Sequence, residues 1–542
     1  MTVTAAFADV WELVFDELER RGESDRDALV IFGPDPEGTG RRTYADLEEN
    51  ANRFADHLRS LGVGPGDHVG LYLENRPEYV DAMLGAYKTR ASPINVNFRY
   101  VESELQYLLH DSQATVVLHE PHFTEHLAAV RDDLPHVRHT IEMGTEWDEA
   151  MAAASPERVG VDRSDDDHYI LYTGGTTGLP KGVVWRQEDA FYACLGAGDP
   201  MRMQGPVDEP TQMVERIVET YNAMLLAPFM HAAGSWVTLM VLFAGGKATL
   251  PRGPLDPELV WDTVDAEQVN MMTVIGDAVG RPIIDAWHAY PDRWSAESLF
   301  AISNGGAPMS ASLKTRIAET FPNMFLTDGF GSSEAGTQGS TRLSADDIKK
   351  AGGVTQFQPG DDTTVVLDDD DQPIAAGSDH SGRVARTGRL PIGYLNDPDK
   401  TARTFVEVGG NRWLITGDLA KVAADGTIEL LGRDSATINT GGEKVHGEEV
   451  ENVLKAHPGV YDVVVVGVPD ERWGSAVCAV VQPVGNAEPT LDELQVHCKG
   501  SLAGFKQPRH LVVVDQVVRS PAGKPDLRWA VATATASVAS DS

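Results

Sequence analysis

The residues with most chemistry to offer form one run, Tyr172-Thr173-Gly174-Gly175-Thr176-Thr177-Gly178-Leu179-Pro180-Lys181-Gly182. Glycines that let backbone approach a ligand, threonine hydroxyls that donate, and a lysine that supplies a point charge are the parts of an anion cradle suited to nucleotide phosphates. The apolar stretch Tyr169-Ile170-Leu171-Tyr172 before it reads as a short buried strand. Val183-Val184-Trp185 follows, and a helix-like segment starts at Gln187. The cradle is therefore a loop leaving a strand. It is not a Walker loop, in which Gly-Lys-Ser/Thr opens a helix, because Pro180 precedes Lys181 and Gly182 follows it. A Gly/Thr-rich surface loop without function is the competing reading.

Similar residues recur where other apolar runs end. Leu299-Phe300-Ala301-Ile302-Ser303 reads as a strand ending in Asn304-Gly305-Gly306-Ala307-Pro308, and this leaves backbone exposed at a strand's C-terminal edge, where open α/β sheets bind ligands. Phe325-Leu326-Thr327 leads into Asp328-Gly329-Phe330-Gly331-Ser332-Ser333-Glu334. There an aromatic ring can stack on a planar ligand, hydroxyls can donate hydrogen bonds, and a carboxylate can hold a cation. In Thr416-Gly417-Asp418-Leu419 the two carboxylate oxygens match a vicinal diol such as ribose, with an aspartate in a β-turn as the plainer alternative. Ala227-Pro228-Phe229-Met230-His231 ends an apolar strand before a helix beginning at Ala232. Lys524 lies in a mobile Gly/Pro loop, Arg519-Ser520-Pro521-Ala522-Gly523-Lys524-Pro525.

These residues need a scaffold of alternating strands and helices. Residues 7–21 read as an amphipathic helix, and Thr43 reads as the N-cap of a second helix running to Leu61 and the Gly62–Asp67 turn. A strand over 68–73 follows, then a helix from Asn75-Arg76-Pro77 to Lys88, then Pro93-Ile94-Asn95, read as packing, leading into 105–109. A helix is expected over 211–222 after a Gly/Pro-rich excursion, and a buried strand over 269–277 runs into a glycine turn. Such alternation predicts an α/β chain of parallel-rich sheets with flanking helices. From 354 to 431 short strands and glycine turns predict a β-rich subdomain, and 433–542 predicts a small α+β unit whose Ala/Ser/Thr-rich tail frays from Ala530. His119, His122 and His126 raise the question of a metal. Pro121 interrupts them and no cysteine or carboxylate completes a known spacing, so a solvated loop is expected. Ser164-Asp165-Asp166-Asp167 and Asp368-Asp369-Asp370-Asp371 read as solvated turns.

Global numbers bound the class. The 542 residues are 42% hydrophobic, enough for several cores. A formal net charge of −37 argues against general nucleic-acid or anionic-membrane binding and requires any anion site to be locally rich in cations or N–H donors. No run reaches the roughly 18 apolar residues of a membrane helix, and the N-terminus shows no signal peptide. Cys194, Cys478 and Cys498 are scattered, which fits a reducing cytoplasm.

Taken in order, at least five of these motifs resemble those of the adenylate-forming superfamily: acyl-CoA synthetases, luciferases and peptide-synthetase adenylation domains. The resemblance spans about 43–528. Gly175 stands where the family usually has serine, as in a subset of bacterial fatty-acyl and steroid-acid CoA ligases. Phe330 replaces the common tyrosine, and Ser333 the common threonine. The resemblance implies a 1–432 domain binding AMP and the acyl group, followed by a 433–542 domain that swings between two catalytic poses.

It further implies that Thr173 to Gly178, with Lys181, bind phosphate, and that Thr176 and Glu334 hold Mg²⁺. Gly306, Ala307 and Pro308 would lie against adenine, beside the Asp328–Ser333 segment, with Asp418 on the ribose and Arg433 near ribose and phosphate. His231 would line the carboxylate end of the acyl pocket, and Gly276 would leave room for a bulky acid, with a tight-turn glycine as the equal alternative. Lys524 is the implied catalytic lysine of adenylation. Gly441, Gly442 and Lys444 belong to the loop meeting the pantetheine arm, and Ser435 stands at a pivot that is often Asp or Lys.

The expected activity is a two-step ligation. A carboxylate attacks ATP to give an acyl adenylate and pyrophosphate, and coenzyme A then displaces AMP. The acid is expected to be fatty, a steroid side-chain acid, or otherwise bulky, and the protein a monomer or homodimer. Transfer to an amine or carrier protein and a non-catalytic nucleotide-binding protein are the rivals. A serine hydrolase is disfavoured because no Gly-x-Ser-x-Gly elbow is present.

Overall fold

The computed structural model describes residues 3–174, 179–199, 204–218, 221–351, 356–359, 363–470, 472–520 and 523–541. Local signals act as expected at its start. Phe7–Arg21 is a helix, and Thr43 caps Tyr44–Ser60 through a reciprocal capping box with Asp46. Pro77 sits in the first turn of Pro77–Lys88, where its missing N–H costs nothing.

Two sheets carry the N-terminal half. Ser92–Asn95, His68–Tyr72, Val116–His119 and His139–Glu142 form a four-stranded sheet, parallel throughout. A nine-stranded sheet has a parallel centre, Phe325–Ser332, Ala301–Asn304, Met271–Val274, Asn222–Leu225, Lys247–Pro251 and Asp27–Phe32. Antiparallel strands close both edges. Its central strands are buried apolar runs, as expected when helices cover both faces. His168–Thr173 and Lys181–Arg186 form an antiparallel pair extended by Gly393–Tyr394. Thr364–Leu367, Gly382–Arg386, Phe405–Val408, Asn411–Val422 and Ile428–Arg433 make the antiparallel β-rich part. Two short strands of the 354–431 stretch pair elsewhere, Gln358–Pro359 on the nine-stranded sheet and Gly393–Tyr394 on the cradle pair. A smaller C-terminal domain packs helices against Val460–Asp470, Gly474–Pro483 and His510–Val513.

Four expectations are corrected. The helix over 211–222 is a 3₁₀ segment, Pro210–Arg216, followed by strand Asn222–Leu225, because a fully buried apolar run pairs between Lys247–Pro251 and Met271–Val274. The strand expected to end at His231 ends at Leu225, and a Pro228 turn leads to His231. The tail does not fray at Ala530: Leu527–Asp541 is a helix, and Ala530 and Ala534, one turn apart, are buried against Val464 and Val480. Polar clusters read as solvated are partly structural. His119 is buried at a strand end, Asp165 accepts from Ala5 N at 2.7 Å, and buried Asp167 pairs with Arg90 at 2.7 Å. Among the described residues no group of three or more His, Cys, Asp or Glu is placed to hold a metal, and no helix is long and apolar enough to cross a membrane.

One polar feature sits inside the core. Lys88 is fully buried and meets Glu12 at 2.6 Å and Glu48 at 3.0 Å, with Arg163 and Arg158 completing the network. Burial alone would raise the Glu12 carboxyl, but Lys88 and Arg163 outweigh it and bring the group down to about 2. Because its folded value lies below the ordinary one, Glu12 contributes stability that is complete above the unfolded carboxylate range and lost as pH falls toward 2. Lys88→Met leaves two carboxylates without their shared cation, so it is expected to lower unfolding free energy by about 3–5 kcal/mol in urea titration at neutral pH. The deficit should shrink on acidification. An unchanged denaturation midpoint would contradict this account.

Candidate active site

The cradle hangs from a tight antiparallel pair. Thr173 and Lys181 face each other in register where its two strands end. Gly175, Thr176, Thr177 and Gly178 lie outside the described residues. Gly182 has to be glycine, since a Cβ would sit 2.9 Å from the Tyr172 ring and 3.2 Å from Leu395. Around Gly174 a Cβ would meet nothing within 4 Å among the described residues. Asn95, read from sequence as packing, fixes this strand: its side chain bonds both backbone groups of Tyr172 and donates to Met230 O beside His231.

Tyr394 joins the cradle to Glu334. Its hydroxyl donates to Glu334 at 3.0 Å, and its ring lies 5.5 Å from Lys181 Nζ, which also stands 3.8 Å from Asp397. Burial first, then the Glu334 charge, push this phenol well above its ordinary value, so it remains a donor. Sequence reading missed Tyr394 because it belongs to a two-residue strand with no local signature.

Glu334 occupies the turn between Phe325–Ser332 and Gly336–Leu343. The turn is close-packed: a Cβ on Gly331 would lie 2.1 Å from Gly336 O. Ser332 Oγ accepts from Ala335 N at 3.1 Å, and the Trp185 indole donates to Ser333 O at 3.0 Å. The Phe330 ring packs edge-on to Phe357, with centroids 4.9 Å apart, and over the bare Cα of Gly339.

Asn304 organises the Gly306-Ala307-Pro308 turn. Its Oδ1 accepts from Gly276 N at 2.7 Å, and its Nδ2 donates to Ala307 O at 3.1 Å and to Asp328 at 2.8 Å. Asp328 also pairs with buried Lys314 at 2.7 Å, so its carboxylate braces the turn from inside while Gly329 continues the strand. Gly306 adopts φ +81°, a conformation suited to glycine. Of the two readings of Gly276, the tight turn holds. It opens helix Gly276–Ala289 at φ +55°, and a Cβ there would lie 2.6 Å from Pro308 O, so its small size admits the Gly306-Ala307-Pro308 turn.

Asp418 and Arg433 are cross-strand partners joined by an Nε–Oδ1 contact of 2.7 Å, and Arg433 also donates to Thr416 O. His231 precedes helix Ala232–Phe243 and accepts from Gly234 N and Ser235 N through its backbone oxygen. Its Nε2 is buried without a hydrogen-bond partner among the described residues. Desolvation chiefly, then Lys524 and Arg99, lower the imidazole to about 4, so it is neutral at physiological pH.

Lys524 reaches this cluster from the other domain. Ser520 N donates to Lys524 O, Lys524 N donates back to the Ser520 hydroxyl, and Arg519 ties Gly523 O to Asp462. Gly523 lies so close to the adenine turn that a Cβ would be 3.0 Å from Ile275 O and 3.6 Å from the Ala307 Cβ. Water still reaches Lys524, yet the surrounding protein, followed by Arg433, lowers its ammonium below the ordinary range against the opposing pull of Glu334 and Asp418. Lys524 is thus within electrostatic reach of Arg433, Glu334, Asp418 and His231. Gly441 and Gly442 instead form the positive-φ turn between Thr437–Thr440 and Glu443–His446, which carries exposed Lys444. Gly441 packs on the Trp473 ring.

Comparison with known proteins agrees with this arrangement. The AMP-binding enzyme family matches residues 17–389, and the AMP-binding enzyme C-terminal domain matches 449–524. The chain is 43% identical over 506 residues to a 3-oxocholest-4-en-26-oate–CoA ligase of Rhodococcus rhodochrous, covering 90% of each chain. It is 42% identical over 545 residues to a medium/long-chain-fatty-acid–CoA/3-oxocholest-4-en-26-oate–CoA ligase of Mycobacterium tuberculosis, covering 98% of this chain and 96% of that one. The anthranilate CoA ligase AuaEII in complex with anthranoyl-AMP shares the fold, with a TM-score of 0.82 at 22% identity and coverage of 97% and 98%. The chain therefore belongs to the AMP-binding enzymes of the adenylate-forming superfamily, and within them to the acyl-CoA synthetases.

Proposed function

We propose that this acid–CoA ligase activates a fatty, steroid side-chain or similarly bulky carboxylic acid in an ATP site made from both domains. The observation that carries the reading is the packing of the Lys524 loop, from the C-terminal domain, on Ile275 and Ala307, which brings the lysine within electrostatic reach of His231, Glu334 and Asp418 of the N-terminal domain. The names of the relatives, which include steroid and fatty acids, support the choice of acid.

In the first step the acid's carboxylate attacks the α-phosphorus of ATP in line, and pyrophosphate leaves. Lys524 places positive charge between carboxylate and phosphate, where two anions would otherwise repel. Lys181, Thr173, Gly174 and the loop through Gly175, Thr176, Thr177 and Gly178 hold the outer phosphates. Glu334, with Thr176, would hold Mg²⁺, which supplies charge neutralisation across the phosphates. A single carboxylate held by a neutral tyrosine suits a cation that keeps most of its water and phosphate ligands. Asp418 takes the ribose diol, with Arg433 beside it, and Gly306, Ala307, Pro308, Gly329, Phe330, Gly331, Ser332 and Ser333 frame adenine and α-phosphate. Asp328 acts by bracing this frame. Neutral His231 turns its free Nε2 toward the acyl carboxylate end, where it orients rather than titrates.

In the second step the coenzyme A thiol attacks the acyl carbonyl, and AMP leaves. We place the domain boundary at 432/433 and assign the 433–542 unit a swing that withdraws Lys524 and brings Gly441, Gly442 and Lys444 to the pantetheine arm. The enzyme acts in the cytoplasm as a monomer or homodimer. Transfer to an amine or carrier protein is the alternative, distinguished by whether thioester accumulates only when coenzyme A is supplied.

Lys524→Ala should lower acid-dependent ATP–pyrophosphate exchange by about 10²–10³-fold while sparing thioester formation from a preformed acyl adenylate. Full exchange activity in this variant would refute the assignment. His231 has a folded value near 4 against an ordinary 6.5, so the folded state binds fewer protons between those limits and loses stability as pH falls through them. Thermal melts from pH 7 to 4 should show His231→Phe destabilised less by acid than the wild type, by up to roughly 3 kcal/mol. Parallel melting curves would show that His231 is not the buried neutral group described.

A further inference from the structure

The start of helix Gly447–Leu454 carries a carboxylate across the domain boundary without a cation of its own. This helix packs on strand Ile428–Arg433, and the Glu448 carboxyl lies over Gly432, where a Cβ would be 3.3 Å from its carboxyl carbon and 3.6 Å from Oε1. Gly432 stands on one side of the 432/433 boundary proposed above and Glu448 on the other. The swing assigned to the 433–542 unit would therefore part them.

Like charge faces this carboxylate from both domains. Asp418 acts on it from strand Asn411–Val422, and Glu451 lies buried one turn further along its own helix, accepting from Val465 N at 2.9 Å. The two cations in reach, Arg433 and Lys455, are committed elsewhere: Arg433 to Asp418 at 2.7 Å, and Lys455 to Asp277 at 3.6 Å and Asp462 at 3.9 Å. No hydrogen bond or ion pair from another described residue reaches Glu448. Water does reach it, yet the surrounding protein, then Glu451, then Asp418, push the carboxyl up to about 7 against the pull of Lys455 and Arg433. A carboxylate set against its own kind in a protein cleft favours the neutral form.

We propose that Glu448 is a positioning residue that sets the balance between the two poses: with a proton bound it lets the C-terminal domain dock as seen here, and ionised it drives that domain toward the thioester pose. This rests on the swing proposed above. Once parted from Gly432 and Asp418, the carboxyl regains an ordinary carboxylate value, so the docked pose is the one that binds the proton more tightly. Docking is then most favoured below the ordinary carboxylate range, loses ground as pH rises from there to about 7, and levels off above. A ligand, here a proton, shifts a two-state balance only by its differential affinity for the two states.

The three native cysteines are buried, so Tyr290→Cys and Val496→Cys, at exposed positions of the two domains, can carry a pair of spin labels. Interdomain distances are recorded from pH 5.5 to 8 in this background with Glu448 intact, with Glu448→Gln and with Glu448→Ser. The pH profiles of pyrophosphate exchange and of thioester formation from a preformed acyl adenylate are measured beside them. With Glu448 the ratio of docked to swung molecules should fall about tenfold across the range, roughly one pKa unit once solvent screening is discounted. In both variants that ratio should stay flat, and exchange relative to thioester formation should follow it in all three proteins. The same pH dependence with and without Glu448, in either variant that folds, overturns the proposal. A single distance at every pH, with acyl adenylate and coenzyme A also present, refutes the swing itself. That result is distinct from a swing that occurs but ignores Glu448.

Discussion

The whole site depends on how the C-terminal domain docks. Lys524 can enter only if its loop lies against Ile275 and Ala307, and the interface that holds it there is ionic. Asp277 is nearly buried, accepts from Ser310 N at 2.8 Å, and stands 3.6 Å from Lys455 of the other domain. Lys455 continues to Asp462 at 3.9 Å, and Asp462 holds Arg519, the first residue of the lysine loop, through two bonds. Asn452 adds a cap from outside, accepting from Ala311 N at the start of helix Ala311–Thr320. A path of paired charges and a borrowed cap therefore runs from the adenine-turn side of one domain to the catalytic loop of the other.

Such an interface suits the swing proposed above for the C-terminal domain. An apolar contact of comparable extent would oppose separation by the water-exposed area it leaves, whereas ionic and hydrogen-bonding groups find replacement partners in water. The separations of 3.6 and 3.9 Å around Lys455 exceed those of the core network at Lys88, which are 2.6 and 3.0 Å. The same kinds of groups thus act differently by position. Closely paired and fully buried at Lys88, they fix one packing. More loosely paired around Lys455, they hold a pose that can be exchanged.

Much of this was legible in the sequence where chemistry is local. Thr43 with Asp46, Pro77 at a helix start, and glycine-rich turns after apolar runs each declare themselves within a few residues. The motifs around Lys181, Glu334 and Lys524 could be placed in turns and loops at strand ends for the same reason, whereas Asp418, expected at a turn or on a ribose, lies within strand Asn411–Val422. What stayed hidden is pairing at long range. Asn222–Leu225 is a strand because two distant strands flank it, and Ala530 and Ala534 are core because a sheet waits for them. Tyr394, Asn95, Asn304 and Lys314 brace the site through partners tens to hundreds of residues away, or from elements too short for periodicity. Gly276 shows the limit in the other direction. Sequence offered both a spacious pocket and a tight turn, and only the position of Pro308 O decides.

The last constraint is charge. A chain of net charge −37 must admit the polyanion ATP, and the structure meets this without leaving its cations bare. Lys181 stands near Asp397 and the Tyr394 ring, Arg433 holds Asp418, and Lys524 feels Glu334 and Asp418. Lys181 and Arg433 are thus already balanced by carboxylates, of which Asp418 has a second use in the ribose recognition proposed above. In the proposed reaction a nucleotide would then exchange partners instead of creating uncompensated charge: phosphate would take the lysines, leaving Asp418 and Glu334 for the ribose and the metal. Because Lys181 and Arg433 stay partly exposed and water reaches Lys524, their hydration would be given up only when a nucleotide arrives, and the phosphate charge has to offset that cost.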